Sequence, residues 1–176
     1  MILWTIQHKA AYEELLRKGV LRANPEYIFE EFFRESYEWM AEQMKKRIGS
    51  PPEGVHLPIW AWYQWEGKRK RLDMRTHGCW SDKGVPIVLL TLDVPDECVL
   101  LSDFDYWHVV LNDSALIFPI DNNTVYSKEE QRKSWEKIFD YKCTFDGEKH
   151  DNLSTQATMW EIKAEWVVKA EHFVSR

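Results

Sequence analysis

No two cysteines in this chain have the CxxC spacing of a zinc ribbon or a redox couple. The three that occur, Cys79, Cys98 and Cys143, are odd in number and scattered, which does not make a disulfide framework. The expectation is a reduced, cytoplasmic protein that needs no metal. Long apolar runs are missing as well. Nothing approaches the roughly 20 residues of a membrane-spanning helix, and the opening MILWTIQHKA has no basic stretch ahead of an apolar one. Neither a membrane partner nor a signal peptide is expected. Positive charge is in deficit too: 23 Lys and Arg stand against 29 Asp and Glu, a net charge of −6. That argues against duplex DNA, whose binding needs a basic face to displace counterions, although it leaves room for a local basic groove. There is no phosphate-binding glycine loop, no GxSxG elbow, no HExxH pair, no internal repeat and no linker.

What is abundant is tryptophan, with ten in 176 residues. Each indole buries a wide apolar surface but carries one N–H that wants a partner, so the chain must build surfaces that are half apolar and half polar. Ligand pockets fit that description, and so do thin cores. The length suits one hydrophobic core, hence a single domain over residues 1–176.

Local patterns give that domain its elements. ILWTIQ (2–7) reads as a strand, and HKAAYEELLRKG reads as a helix with Tyr12, Leu15 and Leu16 on one face and Gly19 as its stop. Asn24-Pro25 opens a long amphipathic helix, in which Ile28, Phe32, Met40, Met44 and Ile48 recur at fourfold spacing until Gly49 and Pro51-Pro52 end it. VHLPIWAWYQW is rich in strand formers, EGKRKRLDMRTHGCWSDKG is a polar excursion, and VPIVLLTLDVP reads as a central strand. ECVLLSDFDYWHVVLN is a strand passing into a short helix, with Ser102 or Asp103 as N-cap. Ser127 and Glu130 form a capping box before another helix. The tail from Ser154 reads as two strands turning near Lys163–Glu165, rather than as a helix through Trp166, Val167 and Ala170. The sum is an α+β domain.

Two stretches carry candidate chemistry. In SDFDYWHVVLN, helical spacing puts Asp105, His108 and Asn112 on one face, where a carboxylate-held His can act as general base or orient a ligand hydroxyl. The plainer reading has Asp103 as cap, Trp107 and Leu111 packed inward, and His108 as an ordinary histidine. In PIWAWYQWEGKRKRLDMR, alternation puts Trp60 and Trp62 on one face of a strand, a pair able to stack a base or a sugar. Arg75 stands apart from the KRKR run, paired with Asp73, with a fork that could grip a phosphate or a carboxylate. The plainer reading is a strand buried on both sides, followed by a solvated basic loop.

The combination of LWTIQ, GSPPEGVHLPIWAWYQW, KRKRLDMR, TLDVPDECVLLSDFDYWHVVLN and QATMWEIKAEWV resembles a bacterial family catalogued as a domain of unknown function. The first strand followed directly by AYEELLRKGVL, together with VLLTLDVPDECVLL, is similar to small ADP-ribosyltransferases and RNA 2′-phosphotransferases. That resemblance implies a strongly bent or split, antiparallel-rich sheet beside the long N-terminal helix, and NAD as cofactor. It implies that Trp4, Thr5 and Gln7 meet the ligand from the first strand and that Tyr63 stacks on the nicotinamide. Arg75 would hold the pyrophosphate. Gln156, where those folds carry a Glu, would lie near the reacting ribose beside His108 and Asp105. The expected activity is that of an ADP-ribosyltransferase-like enzyme or its degenerate relative, with a nucleotide-type small molecule as ligand and RNA or protein as acceptor. Two alternatives remain: a non-catalytic module for a nucleotide, RNA or carbohydrate using Trp60 and Trp62, and a protein-interaction module with Trp anchors.

Overall fold

In the computed structural model, which describes residues 1–25, 31–75, 81–117, 124–142 and 153–176, the sheet is organised around its first strand. β1 (Ile2–His8) pairs over its whole length with β4 (Pro86–Asp93), from Ile2 opposite Asp93 to His8 opposite Ile87. On its other side β1 meets β3 (Ile59–Gln64) at one position, Trp4 opposite Trp62. β6 (Thr155–Met159) pairs with β3 and with β5 (Leu100–Asp103), and β8 (Val167–Val174) pairs with β4. The order is β5-β6-β3-β1-β4-β8, every neighbour antiparallel. A separate two-stranded sheet joins β2 (Val20–Arg22) to β7 (Glu161–Lys163). Four α-helices complete the described residues: α1 (Lys9–Lys18), α2 (Arg34–Arg47), α3 (Phe104–Leu111) and α4 (Lys128–Trp135). The α+β class with an antiparallel sheet is thus what the chain forms.

The alternation of strand side chains divides the interior in two. On one face Leu3, Ile59, Ala61, Val88, Leu90, Leu92, Ala157 and Met159 form an aliphatic cluster, closed by Leu15 of α1, Leu21 of β2 and Ile162 of β7. On the other face Trp60 packs against a cluster built by α2, α3 and α4, in which Trp39, Met40, Met44, Trp107, Val110 and Trp135 are buried. Farther along that face Trp4, Trp62, Ile87 and Leu89 are capped by Leu72 and Met74. β4 is apolar almost throughout because both of its faces are covered.

Several elements form as local chemistry demands. Gly19 ends α1 with φ +76°, a left-handed conformation that glycine tolerates, and its N–H bonds the Leu15 carbonyl at 2.8 Å. Asp103 caps α3, accepting from the Tyr106 N–H, and both bonds of the Ser127–Glu130 box are made. A turn falls at Ala164–Trp166, as the tail pattern predicts. The helical alternative for the tail is overturned, since Val167 and Ala170 pair with Leu92 and Leu90 in β8. Trp160 breaks the first tail segment into β6 and β7, and its indole N–H bonds the Gly49 carbonyl at 2.9 Å.

Two expectations need correction. Leu16 is not on the buried face of α1; it is 59% exposed, and Leu15 alone of that helix is buried. The second α-helix begins at Arg34, after a 3₁₀ turn over Glu31–Phe33, and not at Asn24-Pro25. Phe32 is 60% exposed and meets Phe33 edge-on at 5.5 Å, so the apolar stripe of α2 starts after it. Ile28, Phe29, Cys79 and Cys143 lie outside the described residues. No helix among those described is long and apolar enough to cross a membrane.

Candidate functional site

The single register pair between β1 and β3 has a local consequence. Beyond Trp4 and Trp62 a side chain takes over the link, as the Thr5 hydroxyl donates to the Trp60 carbonyl at 2.9 Å. Gln7 Nε2 in turn donates to Thr5 Oγ1 at 2.8 Å. A cavity of about 320 Å³ opens at this place. Trp60 and Trp62 line it from β3, Phe104, Trp107 and His108 from α3, and Tyr37 from α2. Trp60 lies against Trp107 with centroids 4.8 Å apart and planes tilted by 36°. Tyr37 meets both rings edge-on, at 6.0 and 5.8 Å, and burial pushes its phenol pKa up. Trp62 and Phe104 stand 4.7 Å apart at 61°. These rings brace one another, as offset and edge-on aromatic contacts do.

The polar side of the cavity is incomplete. Gln156 of β6 stands opposite Trp62, lines the cavity and is only 5% exposed, yet its Nε2 has no hydrogen-bond partner. The Trp60 indole N–H has none either, nor does the hydroxyl of Ser102, which sits opposite Gln156 on β5. Leaving such a group buried and unpaired costs about 1–3 kcal/mol each. A fold that gathers them at or beside one cavity wall leaves a demand that a ligand can meet.

His108 contributes a defined tautomer. Its Nδ1 lies 2.9 Å from the Phe104 carbonyl, which can only accept, so the proton is on Nδ1 and the Nε2 lone pair is left available. The expected Asp105–His108 contact is not made: a backbone carbonyl one helical turn back has taken its place. Asp105 is exposed and outside the cavity lining. Asn112 is exposed and closes α3, donating from its backbone N–H and its Nδ2 to the His108 carbonyl at 3.0 and 2.6 Å. At the other end of this helix, burial pushes Asp103 up to about 6, against the bond it accepts from Tyr106 N–H.

Trp4 lies one layer behind, packed with Trp62, Leu72 and Met74. Tyr63 is outside the cavity lining, with the Arg69 guanidinium over its ring at 3.8 Å. Arg75 does grip Asp73, through Nε and Nη2 at 3.0 and 2.8 Å, and this holds the Asp73 carboxyl well below its usual range. Its side chain is 83% exposed and lines a separate groove of about 1000 Å³. The structure therefore brings Thr5, Trp60, Trp62, His108 and Gln156 to one cavity, and places Arg75 in another concavity. Tyr37 and Phe104, which the sequence does not mark, complete the walls together with Trp107, whose plainer reading is inward packing. Among the described residues no group of three His, Cys, Asp or Glu is placed to hold a metal ion.

A family model described as a domain of unknown function, DUF3841, matches residues 2–129. The chain belongs to this family. The matched DUF3841 region carries the aromatic walls and His108, while Gln156 comes from a strand beyond it. No curated protein and no solved structure matched the chain.

Proposed function

We propose that this DUF3841 protein binds a nucleotide-type small molecule, NAD or a relative of it, with a flat ring of that ligand in the aromatic cavity. The observation that carries this reading is the Gln156 Nε2 donor, buried and without a hydrogen-bond partner in the wall of a cavity lined by aromatic rings. A small cation would gain from the ring faces, but it would leave the Trp60 N–H and the Gln156 amide donor without acceptors. A heteroaromatic ring meets both demands, offering a face to stack and an edge that accepts. A sugar would use the edge but less of the stacking surface. None of the described tryptophans is exposed, which favours a pocket over a set of protein-binding anchors. A free Cys98 thiol suits a cytoplasmic setting.

An ADP-ribosyltransferase-like reaction is a second reading, favoured by one observation: the Nε2 lone pair of His108 at the cavity gives the site a base. No carboxylate is among the described lining residues, so binding is the primary proposal and transfer the secondary one.

The test is a thermal-shift series with millimolar NAD, ADP-ribose, nicotinamide mononucleotide and the common mononucleotides, run on the native chain and on Gln156→Leu. At least one compound should raise the Tm of the native chain through linkage, and Gln156→Leu should abolish most of that rise. No shift across the series, or an equal shift in the variant, would overturn the proposal. Release of nicotinamide from NAD, abolished in His108→Ala, would favour transfer.

A further inference from the structure

The groove that holds Arg75 is a second concavity with a chemistry of its own. Its floor is apolar, made by Leu72, Met74, Ile87 and Phe173. Its rims are cationic: Lys70, Arg71 and Arg75 come from the segment after β3, Lys83 from the approach to β4, and Arg176 follows β8. Asp73 is the one acidic side chain among the described lining residues, and Arg75 already neutralises it. Arg71 also reaches Glu171 at 3.5 Å. Lys70 and Lys83 are exposed. In a chain of net charge −6, so uneven a local balance is a field directed at anions.

Position links the groove to the aromatic cavity. Strand alternation puts Ile6 and Ile87 on the same side of the sheet, since His8 pairs with Ile87 and Ile6 with Leu89. Trp62 and Ile6 line the cavity, while Leu72, Met74 and Ile87 line the groove, and all five belong to one packed aromatic and aliphatic group that also holds Trp4. The cavity thus offers a stacking surface with unmet donors, and the groove an apolar trough between cations. A ring and a run of phosphates in series is what a nucleic-acid strand presents.

Resting on the reading of the cavity above, we propose that the full ligand is a single-stranded polynucleotide, with one base seated in the aromatic cavity and the adjoining backbone in the basic groove. A base must leave its stack to enter such a cavity, which a duplex resists and a single strand allows. An acidic peptide could satisfy the cations but would bring no flat ring with acceptor atoms. Arg75 has its fork occupied by Asp73, so Lys70 and Lys83 make the first approach to phosphate, as mobile point charges.

The experiment is fluorescence anisotropy with a dye-labelled single strand of roughly ten nucleotides, a length within the usual range of single-strand sites. It is run beside calorimetry on the mononucleotide of the same base, at several salt concentrations. The single strand should bind at least ~10-fold tighter than the mononucleotide, and its log affinity should fall linearly with log salt. The double reversal Lys70→Glu with Lys83→Glu should weaken the strand far more than the mononucleotide. It should also flatten the salt slope by about 0.7 for each phosphate that is no longer neutralised. Gln156→Leu should weaken both ligands. A mononucleotide that binds as well as the strand, or a strand indifferent to the double reversal, overturns this inference and leaves the cavity reading standing. Polyglutamate displacing the strand as well as unlabelled strand does would also overturn it. Binding of neither probe removes both readings.

Discussion

The two faces of the six-stranded sheet are made from alternate residues of the same strands, yet they are packed in opposite ways. The face closed by α1 and the small β2–β7 sheet is aliphatic, with Leu3, Val88, Leu90, Leu92 and Met159 at its centre. The face under α2, α3 and α4 is aromatic, and the unpartnered Trp60 N–H and Gln156 amide belong to it. Branched aliphatic side chains interdigitate and fill space, so a face made of them closes. Large flat rings meet edge to face and leave angular gaps, so a face made of them can keep a cavity without collapse. Both faces bury apolar side chains completely, Leu3 and Leu90 on one and Met40, Met44 and Trp135 on the other, but the unmet donors at the cavity belong to the aromatic face.

Three substitutions put this contrast between the faces at risk. The largest effect belongs to the aliphatic face. Leu90→Ala, at a fully buried site on β4, should destabilise by about 2–5 kcal/mol in chemical denaturation. A loss below about 1 kcal/mol would mean that this face is not tightly packed.

The next concerns Asp103, at the junction of β5 with the helix that walls the cavity. Its carboxyl is 1% exposed and raised to about 6, so the folded state holds its proton more tightly than the unfolded chain does. The contribution to stability is therefore greatest when the group is protonated, falls as pH rises from about 4 to about 6, and is flat above that. Asp103→Asn keeps an oxygen for the Tyr106 N–H. It should flatten this part of the pH profile and stabilise the protein near pH 7 by about 2 kcal/mol. A profile unchanged by the substitution would show that Asp103 is solvated.

The smallest effect is the most diagnostic. Gln156→Leu removes an amide with no partner for its donor, and should leave stability unchanged or raise it by about 1 kcal/mol. A clear loss would mean that the amide is bonded within the fold, and the contrast between the faces would shrink.

These elements differ in how openly the sequence announces them. Gly19, the Asp103 cap and the Ser127–Glu130 box are local devices whose partners lie within a few residues, and each forms where the pattern puts it. Alternation likewise groups Trp60 with Trp62, and Ile59 with Ala61. The cavity itself is not a local device. Tyr37 reaches Trp60 only because α2 lies over β3, and no periodicity within α2 names that neighbour. Gln156 faces Trp62 through strand register, and a bulge between Trp62 and Gln64 resets that register one step later. His108 shows the same limit in miniature: spacing brought Asp105 near, but a backbone carbonyl one turn back was the stronger claimant. The start of α2 was obscured because Phe32 continues the apolar rhythm while standing in solvent.

The lone register pair between β1 and β3 divides the sheet unequally in a mechanical sense. Seven pairs tie β1 to β4, whereas β3 is tied to β1 by Trp4 and Trp62 and by the Thr5 hydroxyl on the Trp60 carbonyl. The strands β5-β6-β3 and β1-β4-β8 are thus two stiff plates with a soft seam between them. Thermal opening of a sheet starts where the fewest bonds must be broken at once. Here that line runs past Thr5 and Trp60, so the most compliant line of the sheet borders the aromatic cavity.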